Sequence, residues 1–148
     1  MKALIQRVKS ASVTLSGGEK REIGPGLAVL LGVGKNDNSE TARKLADKTA
    51  ALRIFSNAEG KFDLSLLDVK GQALVISQFT LYGDCSGGRR PDFTAAARPE
   101  AAEPLYREYV EQLRRAGLDA VTGEFADHML VEIANDGPVT VLLEVAPL

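Results

Sequence analysis

Only two stretches of this 148-residue chain carry an apolar period near 3.6, and that scarcity limits the possible architectures more than any other feature. In "NDNSETARKLADKTAALRIF", Ala42, Leu45, Ala46, Thr49 and Ala50 share one helical face, with Asn38 or Ser39 as the N-cap. A second amphipathic helix, roughly Pro99 to Ala116, gathers Leu105, Tyr106, Tyr109, Val110 and Leu113, with Gly117 at its end. Most of the remainder is strand-like. "ALIQRVKSASVTL" alternates, with a bend near Ser10-Ala11-Ser12, and "KREIG" returns after the turn "SGGEK". "GLAVLLGVG" and "QALVISQFTLYG" are apolar enough for burial on both faces, and "NAEGKFDLSLLDVKG" gives turn, short strand, turn. The order is β-β-β-α-β-β-α-β-β-β. Two helices cannot cover both faces of so many strands. The expected class is α+β, with helices on one face of a sheet and sheet packed on sheet behind it. With no linker or internal repeat, residues 1–148 form a single domain.

The last two strands flank an awkward join. In "HMLVEIANDGPVTVLLEVA", residues 128 to 146, two β-branched runs meet at Asn135-Asp136-Gly137-Pro138. Asp-Gly between alternating runs is a strong hairpin signal. A type I′ turn, however, leaves its glycine with ψ near zero, whereas a following proline pushes that residue towards extended ψ. A plain turn does not account for Pro138.

Several chemistries are excluded early. Cys85 is the only cysteine, so neither an internal disulfide nor a cysteine-based zinc site can form. His128 is the only histidine, which removes metal sites needing two, and no G-x-S-x-G elbow accompanies it for a serine triad. No metal is expected. His128 reads as a half-exposed strand residue and Cys85 as an unreactive loop thiol. Eighteen basic against twenty acidic residues, a formal charge of −2, argue against a broad footprint on nucleic acid but leave room for a local patch. The charged N-terminus has no apolar h-region, and no apolar run approaches the ~18 residues of a membrane span. A cytoplasmic protein without membrane contact is the expectation.

Three segments carry chemical potential. The glycines of "GPGLAVLLGVGKND" do not match a phosphate loop, and Gly24-Pro25-Gly26 reads as a turn. In "SGGRRPDF", Arg89 and Arg90 offer guanidinium forks to phosphate oxygens, although a solvated loop has the same composition. Ser77-Gln78-Phe79-Thr80-Leu81 ends a buried strand. Continued alternation puts Ser77, Phe79 and Leu81 on one face and Gln78 and Thr80 on the other. Backbone N–H groups at such an end suit a carbonyl or oxyanion, but polar residues also simply mark where a strand leaves a core.

Taken together, "SQFTL" at 77–81, "NDGPVT" at 135–140, the opening "LIQRV" and the loop "GRRPDF" resemble the D-aminoacyl-tRNA deacylases (the D-tyrosyl-tRNA deacylase family) across essentially the whole chain. The resemblance implies a three-layer α/β/β domain and hydrolysis of the ester joining a D-amino acid to the terminal ribose of tRNA. It extends to glycine wrongly charged on tRNA-Ala. It also implies a homodimer with the active site at the subunit interface, bound to the 3′ acceptor end of aminoacyl-tRNA, without metal or organic cofactor. By the same resemblance, the Gly137-Pro138 bond is cis and its loop enters the partner's site, where a wall of main-chain carbonyls rejects L-residues. Gln78, Phe79 and Thr80 form the catalytic cradle. Ser77, Met129, Gly137, Pro138, Arg89 and Arg90 contact substrate, with Met129 at the terminal adenine and the arginines near phosphates. Thr80 is either a positioning group, with the ribose 2′-hydroxyl assisting water, or the nucleophile; no evident base stands beside it. Two other readings stay open: a trans Gly-Pro relative acting on mischarged L- or achiral esters, and a noncatalytic RNA-binding domain.

Overall fold

β1 (Lys2–Thr14) organises the domain because both of its edges are taken. The computed structural model describes residues 1–148. On one edge β1 runs antiparallel to β8 (Leu130–Glu144) along its length. On the other it pairs first with β3 (Gly26–Gly32), through Lys2–Val8, and then with β2 (Lys20–Ile23), through Ala11–Thr14. β6 (Gln72–Ser77) lies parallel to β3, and β7 (Asp119–Thr122) parallel to β6. β1 changes neighbour beside two register shifts against β8, between Gln6 and Val8 and between Val8 and Ser10. Bulges bend a strand and increase its twist. The second half of β1, with β2 and the first half of β8, thereby folds over behind β3, β6 and β7.

Two cores follow from that fold-over. Ile5, Val29, Leu31 and Val75 face the helices in a cluster of 22 buried residues. Alternate residues of the same strands, Ala28, Leu74 and Ile76, point the other way and meet Val8, Val13 and Ile23 in a cluster of 7. β8 serves both: Val131 and Ile133 pack on the smaller cluster, Val139, Val141 and Leu143 on the larger. The layering is the expected α/β/β, with one difference. The rear layer belongs to the same six-stranded sheet, folded over, because β1 and β8 are long enough to serve both layers.

α1 (Ser39–Ala51) starts at Asn38, whose side chain accepts from Thr41 N at 3.1 Å while Thr41 Oγ1 accepts from Asn38 N at 2.9 Å. α3 (Pro99–Arg115) opens with proline, preset for a first helical turn. Buried Tyr109 anchors α3 on α1 by donating to Thr49 Oγ1 at 2.8 Å, and Tyr106 anchors it on the sheet by donating to Val75 O at 2.7 Å. Burial pushes the Tyr106 hydroxyl up to about 12, so it stays a donor at every physiological pH. No helix is long and apolar enough to cross a membrane.

Three expectations need correction. The segment between α1 and β6 is a hairpin, β4 (Phe55–Ser56) with β5 (Phe62–Leu64), followed by a one-turn helix, α2 (Leu66–Val69), capped reciprocally by Ser65 and Asp68. Four residues are too few to display a period. Two strands, not three, follow α3, because the expected terminal hairpin is the single strand β8. Finally, the strand through "SQFTL" stops at Ser77.

Candidate active site

β6 ends at the carboxyl edge of the parallel strands, where open α/β sheets commonly place their ligands. Gln78 N still donates to Leu31 O at 2.8 Å, and then Phe79–Tyr82 form one 3-10 turn, with Leu81 N on Gln78 O at 3.3 Å and Gly83 N on Thr80 O at 3.0 Å. The turn's bonds begin only at Leu81, so the N–H groups of Phe79 and Thr80 stand at its open end. The expected alternation of Phe79 against Gln78 and Thr80 is therefore lost. Instead Gln78 Nε2 donates to Thr80 Oγ1. A hydroxyl that accepts this bond keeps its own proton available for donation and is the poorer nucleophile for it.

Ser77, Gln78 and Phe79 line a cleft of about 640 Å³. Phe79 is 56% exposed and stands edge-on to Phe93, with ring centroids 5.0 Å apart and planes at 72°. Met129 lines the opposite wall, half-buried, with Glu124 N donating to its sulfur at 3.4 Å. It sits that deep because residue 123 is glycine: a Cβ there would come within 2.5 Å of the Met129 sulfur. Phe125, His128 and Arg98 complete the walls. The site thus combines an apolar slot and flat aromatic faces, with the open end of the 3-10 turn beside it.

Asn135–Thr140 contribute nothing to this cleft. Gln6 faces Thr140 and Val8 faces Asn135, so Arg7 alone stands opposite the four residues Asp136–Val139. The "NDGP" join is therefore a wide bulge in one strand, where the missing N–H of Pro138 leaves no ladder bond unmade. Asn135 brackets it: Oδ1 accepts from Val139 N at 2.8 Å, and Nδ2 donates to Val139 O at 3.2 Å and Thr140 Oγ1 at 3.1 Å. Arg7 braces it from below, with Nε on Asp136 O at 2.9 Å and Nη1 on Ile54 O at 2.8 Å. Gly137 has φ +141, and a Cβ there would lie 2.8 Å from Val139 Cγ2 and 3.1 Å from Arg7 Nη2. The Gly137-Pro138 bond is cis, and both residues are exposed.

Arg89 and Arg90 also lie outside the cleft, on the exposed tip of a loop closed by paired backbone bonds between Asp84 and Asp92 at 2.7 and 2.8 Å. The chain therefore brings Ser77, Gln78, Phe79 and Met129 together, keeps Thr80 beside Gln78, and holds Gly137, Pro138 and both arginines apart from them. Sequence reasoning did not single out Phe93 and Arg98, which reach the cleft from the connection before α3, or Phe125, which reaches it from the loop after β7. The opening "LIQRV" gave Arg7 no evident task. The signal for Arg7 was available: a lone arginine continuing the alternate positions of Ala3 and Ile5, both fully buried.

A sequence profile for the family described as D-Tyr-tRNA(Tyr) deacylase matches residues 4–144. Among curated proteins, the D-aminoacyl-tRNA deacylase of Symbiobacterium thermophilum is 53% identical over 144 residues, 97% of this chain and 95% of that protein. That of Chloroflexus aurantiacus is 55% identical over 148 residues, 100% of this chain and 92% of the relative. Among solved structures, the c-Myc DNA Unwinding Element Binding Protein superposes with TM-score 0.91 at 41% identity, covering 99% of this chain and 100% of that one. A probable eukaryotic D-amino acid tRNA deacylase gives TM-score 0.85 over 97% and 98% of the two chains; at 16% identity this shares the fold alone.

Proposed function

The chain belongs to the D-aminoacyl-tRNA deacylase family, hydrolases of the ester bond of aminoacyl-tRNA, and on that premise we propose that two copies build each active site between them. One protomer supplies the cleft of Ser77–Thr80 and Met129, and its partner supplies Gly137-cis-Pro138. The observation that carries this reading is the separation itself. The bulge bearing Gly137 and Pro138 is braced from two sides yet exposed, and no residue of Asn135–Thr140 lines the chain's own cleft. Rigid exposed main chain is suited to insertion into a neighbour.

The scissile carbonyl sits against the N–H groups of Phe79 and Thr80, which stabilise the oxyanion as water attacks. Thr80 positions rather than attacks, because its hydroxyl accepts from Gln78 and has no base beside it. The ribose 2′-hydroxyl, adjacent to the ester, orients the water. The terminal adenine occupies the slot against the Met129 thioether, a polarizable partner for a flat ring. Arg89 and Arg90 reach phosphates near the acceptor end.

Handedness is set by the partner's carbonyls. With ester and amino group fixed, a D-residue directs its side chain to solvent, whereas an L-residue drives its own into the main-chain wall. Carbonyls held by Arg7 and Asn135 have no rotamer with which to yield. Glycine offers nothing to exclude, so glycyl-tRNA-Ala is also cleaved. Rejecting the wrong substrate requires no pocket for each amino acid.

Incubation with D- and L-tyrosyl-tRNA tests the reading. Selective loss of the D-ester supports it. Loss of the L-ester points to an enzyme of relaxed handedness, and stability of both esters to a binding domain.

A further inference from the structure

A second cleft, of about 560 Å³, adjoins the first through a shared wall, Phe125, and is lined by Arg21, Arg107, Arg114 and Arg115. We propose that this cleft carries the backbone phosphates of the nucleotides just 5′ of the terminal adenosine, so that the aminoacylated strand crosses Phe125 on its way to the site. The inference rests on the functional reading above.

The four guanidinium groups are not equivalent. Two are pinned by main chain: Arg21 Nη1 donates to Thr122 O and Gly123 O at 3.0 and 3.2 Å, and Arg114 Nε and Nη2 donate to Ala120 O at 3.3 and 2.9 Å. Two reach outward. Arg107 spends Nε and Nη2 on Glu103 and leaves Nη1 free; Arg115 makes no hydrogen bond or ion pair. Fixed charge at the base and mobile forks at the rim suit a phosphodiester strand, since guanidinium fits phosphate oxygens bidentately.

Four of the chain's arginines converge here in a protein of net charge −2. Glu108, Glu111 and Glu124 line the same cleft, and Glu124 reaches Arg21 at 3.6 Å. Glu19 also takes Arg21 Nε and Nη2, and Glu103 takes Arg107, so no net positive charge is left over and the open donors are those of Arg115 and Arg107 Nη1. Such a cleft grips one or two phosphates rather than a duplex, which agrees with recognition of the tip of tRNA. Phe125 is a suitable threshold, because its ring is already steadied by Tyr106 at a centroid distance of 5.9 Å.

The test is a double variant, Arg107→Glu with Arg115→Glu, compared with Lys44→Glu/Lys48→Glu on the exposed face of α1 as an equal charge change elsewhere. Two substrates are needed: D-tyrosyl-tRNA and the 3′-D-tyrosyl ester of adenosine, which has no phosphate. The expected result is a KM for the tRNA ester raised about tenfold in the arginine variant, with kcat and cleavage of the adenosine ester unchanged. Binding of uncharged tRNA, followed by anisotropy, should show a log–log salt slope shallower by about two. An unchanged KM and slope would overturn the proposal, as would equal losses on both substrates or in the α1 variant. If the unaltered protein spares both D-esters, the functional reading fails by itself, and the tRNA-binding slope still decides the fate of the arginine cleft.

Discussion

Arg7 Nε donates to the carbonyl oxygen of Asp136 at 2.9 Å, across the first of the two points where β1 and β8 lose register. The same guanidinium holds Ile54 O at 2.8 Å, so the Gly137-Pro138 bulge is tied to the β4–β5 side of the domain by a single side chain. Lysine offers a point charge and cannot reproduce that planar fork. Arg7→Lys is expected to cost about 1.5–3 kcal/mol in urea unfolding. It should also lower the D-over-L ratio of kcat/KM by letting the Asp136-Gly137 peptide shift. A variant with full stability and full selectivity would remove Arg7 from the account.

Gly137→Ala adds one carbon where the backbone has φ +141 and Val139 Cγ2 would stand 2.8 Å away. The bulge must move, and of the two cores only the edge of the larger one, at Val139, is touched. The expected outcome is about a hundredfold fall in kcat/KM on D-tyrosyl-tRNA, the scale that small misplacements produce, with the far-UV spectrum and the native mass in solution unchanged.

Thr80→Ala separates positioning from covalent catalysis. Loss of the hydroxyl frees Gln78 Nε2 but leaves the N–H of residue 80 in place. Turnover within about tenfold of the unaltered protein is expected in single-turnover assays. A loss of several orders of magnitude, the scale seen when a nucleophile is removed, would restore Thr80 as the attacking group.

Ala126 holds φ +62 in the loop between Phe125 and Met129, a conformation that a Cβ disfavours by about 1–2 kcal/mol. Ala126→Gly relieves it at some cost in chain entropy. A net gain of up to about 1 kcal/mol in urea unfolding is expected, and destabilisation would contradict the argument.

Asp127 ties that loop to the β1–β2 turn by accepting from Ser16 N at 3.0 Å. Hydrogen bonding from the Ser16 side chain and N–H holds its carboxyl below the usual carboxylate range. A depressed folded value means that the tether contributes above the unfolded pKa of about 4 and is lost as pH falls through the folded one. The Ser16 amide resonance should accordingly titrate with a midpoint below about 4, and Asp127→Asn should abolish that titration.

The architecture was largely legible because it depends on patterns a sequence displays. The period of Ala42, Leu45, Ala46, Thr49 and Ala50 gave α1, and the scarcity of helices gave the layering. The bulge was not legible. Asp136-Gly137 carries a local turn signature, but Arg7, 129 residues away along the chain, decides what the segment becomes. The early end of β6 was hidden for a related reason: Phe79 and Leu81 prolong the alternation of a strand that has already turned. Phe93, Arg98 and Phe125 escaped because two loops converge on the cleft only once the sheet has folded over.

The most direct measurement of a site shared between protomers is complementation. Gly137→Ala spoils the wall, and Phe79→Pro, which removes one of the two N–H donors, spoils the cradle; each homodimer is expected to lose activity about a hundredfold. Purified heterodimers carrying one of each retain one site with intact cradle and intact partner wall. The expected D-tyrosyl-tRNA turnover is about half that of the unaltered dimer, as two-fold symmetry requires. Heterodimers as inactive as both parents would mean that each chain uses its own loop, and the shared site would be contradicted.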